Sequence, residues 1–102
     1  MQDFTLGKIY AVVSQHTSSM YVGSTAYERL SQRHSMHRYA FRERLTKTLD
    51  PLMQHPDAHI ELVEAYPCAS RAELQAREQH WMDVLRGHGV PLLNKNRARR
   101  RT

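Results

Sequence analysis

Cys68 is the only cysteine in 102 residues. This excludes an internal disulfide and any cysteine-cluster zinc site. Next to Pro67, it reads as a small half-buried residue. No apolar run approaches the ~18 residues of a membrane span. The amino terminus, Met1-Gln2-Asp3-Phe4, lacks a charged-then-apolar signal pattern. An intracellular protein with no membrane partner is the expectation. Apolar residues make up only 40% of the chain and the mean hydropathy is −0.69, so the core is modest. The length suits one small domain.

Acidic residues are missing from the carboxyl-terminal end. Lys95, Arg97, Arg99, Arg100 and Arg101 follow one another with no acid after Val90. The net charge of +5 comes entirely from this run, because residues 1–94 hold ten basic and ten acidic groups. The reading is therefore a domain over residues 1–96 and a basic tail over 97–102. A terminal arginine run suits a polyanion, and the guanidinium fork matches phosphate, so nucleic acid is the leading partner.

The chain is organised around Lys8 to Gly23. Lys8-Ile9-Tyr10-Ala11-Val12-Val13-Ser14 and Met20-Tyr21-Val22-Gly23 are short runs rich in β-branched and aromatic residues. A polar segment parts them, which predicts two antiparallel strands. Side chains alternate with period two, so Ile9, Ala11 and Val13 share one face and Tyr10 and Val12 the other. On the second strand Tyr21 lies opposite Met20 and Val22. If the apolar faces align, Tyr10 and Tyr21 project on the same side. Gly23 leaves bare backbone beside them where a partner can approach. Alone, two strand tyrosines are ordinary sheet residues with a polar tip.

Ser24 and Thr25 are cap-type residues ahead of a predicted helix over residues 27–45. Leu30, His34, His37, Phe41 and Leu45 recur at helical spacing as its inward stripe. Arg33 lies one turn before His37, on the same face. Arg29, Arg38 and Arg42 help make this helix strongly basic. Residues 49–56 read as a connection, with room for a helical turn after Pro51. Residues 59–66 read as a third strand, stopped by Pro67. Ser70-Arg71-Ala72-Glu73 is a capping box that opens a helix to about Arg86, with Gly87 and Gly89 as stops. Leu74, Trp81, Met82 and Leu85 form its apolar stripe. Glu78 falls inside that stripe, where a carboxylate is costly unless paired, protonated or bound to a cation. An arginine partner at the stripe's edge and a cation-ligand or acid/base role are both open at this point.

Taken together, these residues resemble the GIY-YIG nucleases. Lys8-Ile9-Tyr10 stands at the first triplet and Tyr21-Val22-Gly23 at the second, with ten residues between the tyrosines. Leu30-x-x-Arg33-x-x-x-His37 resembles the family's basic helix motif. Arg77-Glu78-x-x-Trp81 resembles its glutamate helix, and Leu93-Asn94 its asparagine element. The likeness spans roughly residues 7 to 96. Lys8 replaces the first triplet's glycine, with Gly7 just before it, and Val22 replaces isoleucine in the second. Neither change removes a reactive group.

The resemblance implies an α+β fold, a three-stranded antiparallel sheet flanked by helices. It implies metal-assisted hydrolysis of DNA to 5′-phosphate and 3′-hydroxyl ends. Glu78 would hold one Mg²⁺ or Mn²⁺ against the scissile phosphate. Tyr10 would be the general base, its pKa lowered by nearby cations, with Tyr21 orienting water or phosphate or serving as the base instead. Arg33 and His37 would supply that lowering, Arg33 would also neutralise the phosphate, and Asn94 would fix the pocket. Gly23, Arg29, Arg38, Arg42, Arg97, Arg99, Arg100 and Arg101 would face the DNA, double-stranded or branched. Nicks and double-strand breaks stay equally open. Two other readings stand beside this one. One is a nucleic-acid-binding module without chemistry. The other is a catalytic subunit targeted by a partner or by homodimerisation, with added specificity only from residues 46–58 and the tail.

Overall fold

The computed structural model describes residues 3–45 and 47–94. Strands β1 (Lys8–Ser14), β2 (Thr17–Thr25) and β3 (His59–Ala65) form one antiparallel sheet in the order β2-β1-β3. Helices α1 (Leu30–Arg42), α2 (Asp50–Met53) and α3 (Arg71–Gly87) cover its two faces. The chain therefore has the expected α+β architecture.

Placing β1 in the centre explains its composition, since both faces of a central strand are covered. Tyr10 and Val12 pack with Leu49, Leu52, Met53 and Ala58, against which Tyr21, Leu30 and Phe41 also lean. Ile9 and Val22 pack with Leu74 and Met82 of α3 on the other side. The period-two assignment of the two tyrosines to one face holds.

Three boundaries differ from expectation. Ser24 and Thr25 do not cap a helix; they continue β2, paired with Ile9 and Lys8. α1 starts at Leu30, where the Gln32 side chain accepts from the Arg29 N–H at 2.9 Å. At the far end Arg44 takes a left-handed conformation (φ 60°). Leu45 N–H then donates to Ala40 C=O at 2.9 Å and Arg44 N–H to Phe41 C=O at 3.2 Å, a Schellman closure. It turns Leu45 out of the stripe to 67% exposure, so Leu45 is not an inward residue. The third difference lies in the connection over residues 49–56, where Leu49, Leu52 and Met53 are core, joined by Ala58 just beyond it. Pro51 sits in the first turn of α2, where its missing N–H costs nothing.

Of the expected capping box in α3 the serine half forms, while the glutamate reaches one residue further back. Ser70 Oγ accepts from Glu73 N–H at 3.2 Å, and the Glu73 carboxylate accepts from Ala69 N–H at 2.6 Å. Gly89, at φ +83°, closes the helix with Val90 N–H on Leu85 C=O at 3.0 Å. The chain then returns along β2. Leu92 bridges Met20 in parallel, with Leu93 N–H on Met20 C=O at 2.7 Å. Asn94 continues this pairing with its side chain. Its amide oxygen accepts from Val22 N–H at 3.0 Å and its amide nitrogen donates to Val22 C=O at 2.8 Å. Asn94→Ala leaves both backbone groups of Val22 without these partners. It should lower stability by about 1–3 kcal/mol, read as a shift of the urea midpoint.

Candidate active site

Tyr10 is fully buried, so its hydroxyl must find partners inside the protein. It finds two on α1. Arg33 Nε donates to the Tyr10 oxygen at 3.1 Å, and that oxygen lies 2.8 Å from His37 Nε2. Their spacing of one helical turn aims both side chains at the same phenol. Tyr21 approaches the other side of His37, edge to face, with ring centroids 5.8 Å apart. Four of the residues singled out in the sequence thus form one cluster.

The electrostatics and the donor inventory together bear on the direction of the hydrogen-bond chain. Burial, helped by the Arg33 charge, pushes His37 down to about 4, so the imidazole is neutral near pH 7. Arg33 can only donate, so the buried Tyr10 O–H takes His37 Nε2 as its acceptor, in the neutral tautomer that carries its proton on Nδ1. Burial also pushes the Tyr10 phenol up, against the opposing pull of Arg33. The expected lowering of the Tyr10 pKa by nearby cations does not occur, because desolvation outweighs the attraction of the Arg33 charge. Tyr21 is raised too, by burial first and by the charge of Glu78 second.

His37 makes a pH prediction with a definite sign. Its folded pKa lies below the ordinary 6.5, so its neutral form contributes stability above that value. The contribution is lost as pH falls from 6.5 towards about 4. It amounts to on the order of 3 kcal/mol. His37→Gln should remove this part of the decline when melting temperature is followed between the two values.

Glu78 reaches the cluster from the opposite face. Leu74 and Met82, four residues before and after it, pack in the Ile9 cluster, so Glu78 faces the sheet on the α3 side. There the Ser24 hydroxyl donates to Glu78 Oε1 at 2.5 Å. Ser24 follows Val22 by two residues and shares its strand face. The carboxylate remains close enough that its charge acts on Tyr10 and Tyr21 and feels that of Arg33. The cluster therefore wraps around the edge strand β2 at Gly23, with phenols on one face and the carboxylate on the other. The arginine pairing open to Glu78 goes elsewhere: Arg77 forms a fork with Glu64 at 2.6 and 2.9 Å, and Trp81 donates to the same carboxylate at 3.0 Å. Burial raises the Glu78 pKa, while the Ser24 bond and Arg33 oppose the rise.

Gly23 is required by the Tyr10 ring. The two residues are paired across β1 and β2, and a Cβ on Gly23 would overlap Tyr10 Cζ and its hydroxyl oxygen. The close approach expected at this glycine is made by the protein's own phenol. Gly23→Ala should displace Tyr10 from Arg33 and His37 and cost about 1–3 kcal/mol, measurable by chemical denaturation.

A cavity of about 300 Å³ opens on the α1 side, lined by Tyr21, Arg33, Met36, His37, Ala40, Thr48 and Leu49. Tyr21 is on its wall, whereas Tyr10 lies behind Arg33 and His37. Arg29, Arg38 and Arg42 are exposed on α1. Arg97, Arg99, Arg100 and Arg101 lie outside the described residues. Lys8, the residue in the glycine position, donates from Nζ to Leu6 C=O at 2.6 Å and to Tyr27 C=O. It ties the start of β1 to the link before α1. Ser24 is the site residue that sequence reasoning missed. The alternation of β2, continued two residues further, would have placed it beside Val22 on the α3 face.

A family model described as the GIY-YIG catalytic domain matches residues 6–89. No curated protein and no solved structure matches the chain. Among the described residues, no helix is long and apolar enough to cross a membrane.

Proposed function

Because the chain belongs to the GIY-YIG catalytic-domain family, a family of nucleases, we propose that it is a metal-dependent DNA endonuclease or nickase. Its products are 5′-phosphate and 3′-hydroxyl ends. The observation that carries the reading is the buried relay from Arg33 through the Tyr10 hydroxyl to a neutral His37.

The Arg33 guanidinium spends its Nε on Tyr10, turns Nη1 to the Met36 sulfur at 3.9 Å and lines the cavity wall. A DNA phosphate seated there receives charge-assisted hydrogen bonds that strengthen as negative charge builds on its oxygens. Once Arg33 and His37 part enough to admit the attacking water to the enclosed phenol, Tyr10 takes its proton as it passes its own to His37 Nε2. The phenolate never has to exist free, which matters because burial disfavours it. Tyr21 orients water or phosphate. One observation favours Tyr21 as the base instead: it lines the cavity, while Tyr10 is enclosed.

Among the described residues no three histidine, cysteine or carboxylate side chains gather as a metal site, but one carboxylate suits a divalent cation. Glu78 is a partly buried carboxylate whose hydrogen-bond donor is a neutral hydroxyl, so a hard cation would compensate its charge. Glu78 would hold Mg²⁺ or Mn²⁺, which supplies stabilisation of charge on the phosphate and leaving oxygens.

The test is to incubate the protein with supercoiled plasmid and magnesium, then treat the product with DNA ligase. The expected result is relaxed circles that ligase reseals, since the enzyme needs a 5′-phosphate and a 3′-hydroxyl. Binding without cleavage would replace this reading with that of a binding module.

A further inference from the structure

α1 has a second flank, which the mechanism above leaves unused. At 3.6 residues per turn, Arg33, Met36, His37 and Ala40 point to one side, while Arg38, Phe41 and Arg42 point to another. These three line a separate groove with Met53, Gln54, His55 and Pro56, of about 380 Å³. That volume lies within the ~300–1,000 Å³ usual for a ligand pocket. The floor is apolar and preformed, since Met53 is core and Phe41 packs against the same cluster. The His55 ring is held in place by a near-parallel stack on His16, centroids 5.2 Å apart at 14°.

The rim is cationic and only weakly engaged. Among the described residues Arg38 has no hydrogen bond or ion pair. Arg42 meets Glu43 only at 3.9 Å and lies 6.0 Å from the Tyr39 ring centroid. Two guanidiniums over an apolar and aromatic floor suit a phosphate with its base. A duplex phosphate alone would not need the floor, and an unpaired nucleotide uses both.

We propose that this groove between α1 and α2 is a second nucleic-acid subsite, which takes one unpaired nucleotide of the strand whose scissile phosphate occupies the Tyr21–His37 cavity. The proposal rests on the nuclease reading for the identity of that strand. The two cavities lie on opposite flanks of a single helix, about 10–12 Å across with its side chains. A single strand crossing α1 spans them within a few nucleotides, whereas a paired strand keeps its bases out of the groove. The arrangement gives the protein a preference for DNA with an unpaired segment beside the cut.

The test compares fluorescein-labelled oligothymidine with a hairpin duplex of equal length, by anisotropy in the full chain without divalent metal. Arg38→Ala/Arg42→Ala removes the rim. Gln54→Trp fills the groove and keeps both charges. The ratio of single-strand to duplex affinity should fall at least fivefold in each. The salt slope on oligothymidine should fall by about one to one and a half in the double variant only. An unchanged ratio in either variant overturns the subsite, as does wild-type protein that binds no oligothymidine. Magnesium-dependent plasmid relaxation by the wild type, run in parallel, reports separately on the nuclease reading. It can succeed while the subsite fails, and the reverse.

Discussion

Replacing Glu78 with glutamine is expected to abolish cleavage while leaving the metal-free protein at least as heat-stable as the wild type. The first half follows from chemistry. A neutral amide is a poor ligand for a hard divalent cation, and losing several kcal/mol of charge stabilisation corresponds to a rate loss of about 10³-fold or more. The second half follows from the burial that raises the Glu78 pKa. A raised folded pKa means that the charged form opposes folding as pH rises through the ordinary carboxylate range. Glutamine keeps the shape without the charge. It can still accept from the Ser24 hydroxyl through its amide oxygen. Single-turnover cleavage and metal-free melting curves at pH 7 check the two halves together. A variant that loses activity only because it unfolds would contradict the account.

Tyr10→Phe carries the second large effect, a fall in cleavage of about 10²–10⁴-fold. The ring stays, so it still fills the space over Gly23 and packs against Val12 and Leu52. What goes is the oxygen that receives from Arg33 and donates to His37. Both lose their buried partner. A pH–rate profile separates this relay from its rival. If Tyr10 hands its proton to His37, wild-type cleavage falls as pH drops towards about 4, where His37 becomes protonated and can no longer accept. That limb should be absent from the residual activity of Tyr10→Phe. Should Tyr21→Phe show the greater loss and Tyr10→Phe keep the acid limb, Tyr21 is the base.

The parts of this architecture that were legible in the sequence share one property: their geometry is periodic. Alternation placed Tyr10 and Tyr21 on one face, and helical spacing put Arg33 and His37 on one side of α1. The Ser70-x-x-Glu73 pattern located α3, and its helical spacing marked Glu78 as an acid among apolar neighbours. Tertiary decisions were not legible. Ser24 and Thr25 have the chemistry of a cap, yet sheet pairing with β1 claims them. Leu45 fits the stripe, yet the left-handed Arg44 turns it away. Leu49, Leu52 and Met53 are too few and too near Pro51 to register as core. The tuning of Tyr10 departs from expectation because neighbouring cations can be read from spacing while desolvation cannot. Burial decides that balance, and burial is a property of the whole fold.

The most direct measurement is the rate of supercoiled plasmid relaxation across a magnesium titration, in wild type and in Glu78→Gln. The account predicts a saturable rise for the wild type that EDTA abolishes, and a flat line at background for the variant. Relaxation by the wild type in EDTA, or an equal rise in Glu78→Gln, would contradict a metal-assisted site built on Glu78 and the two tyrosines.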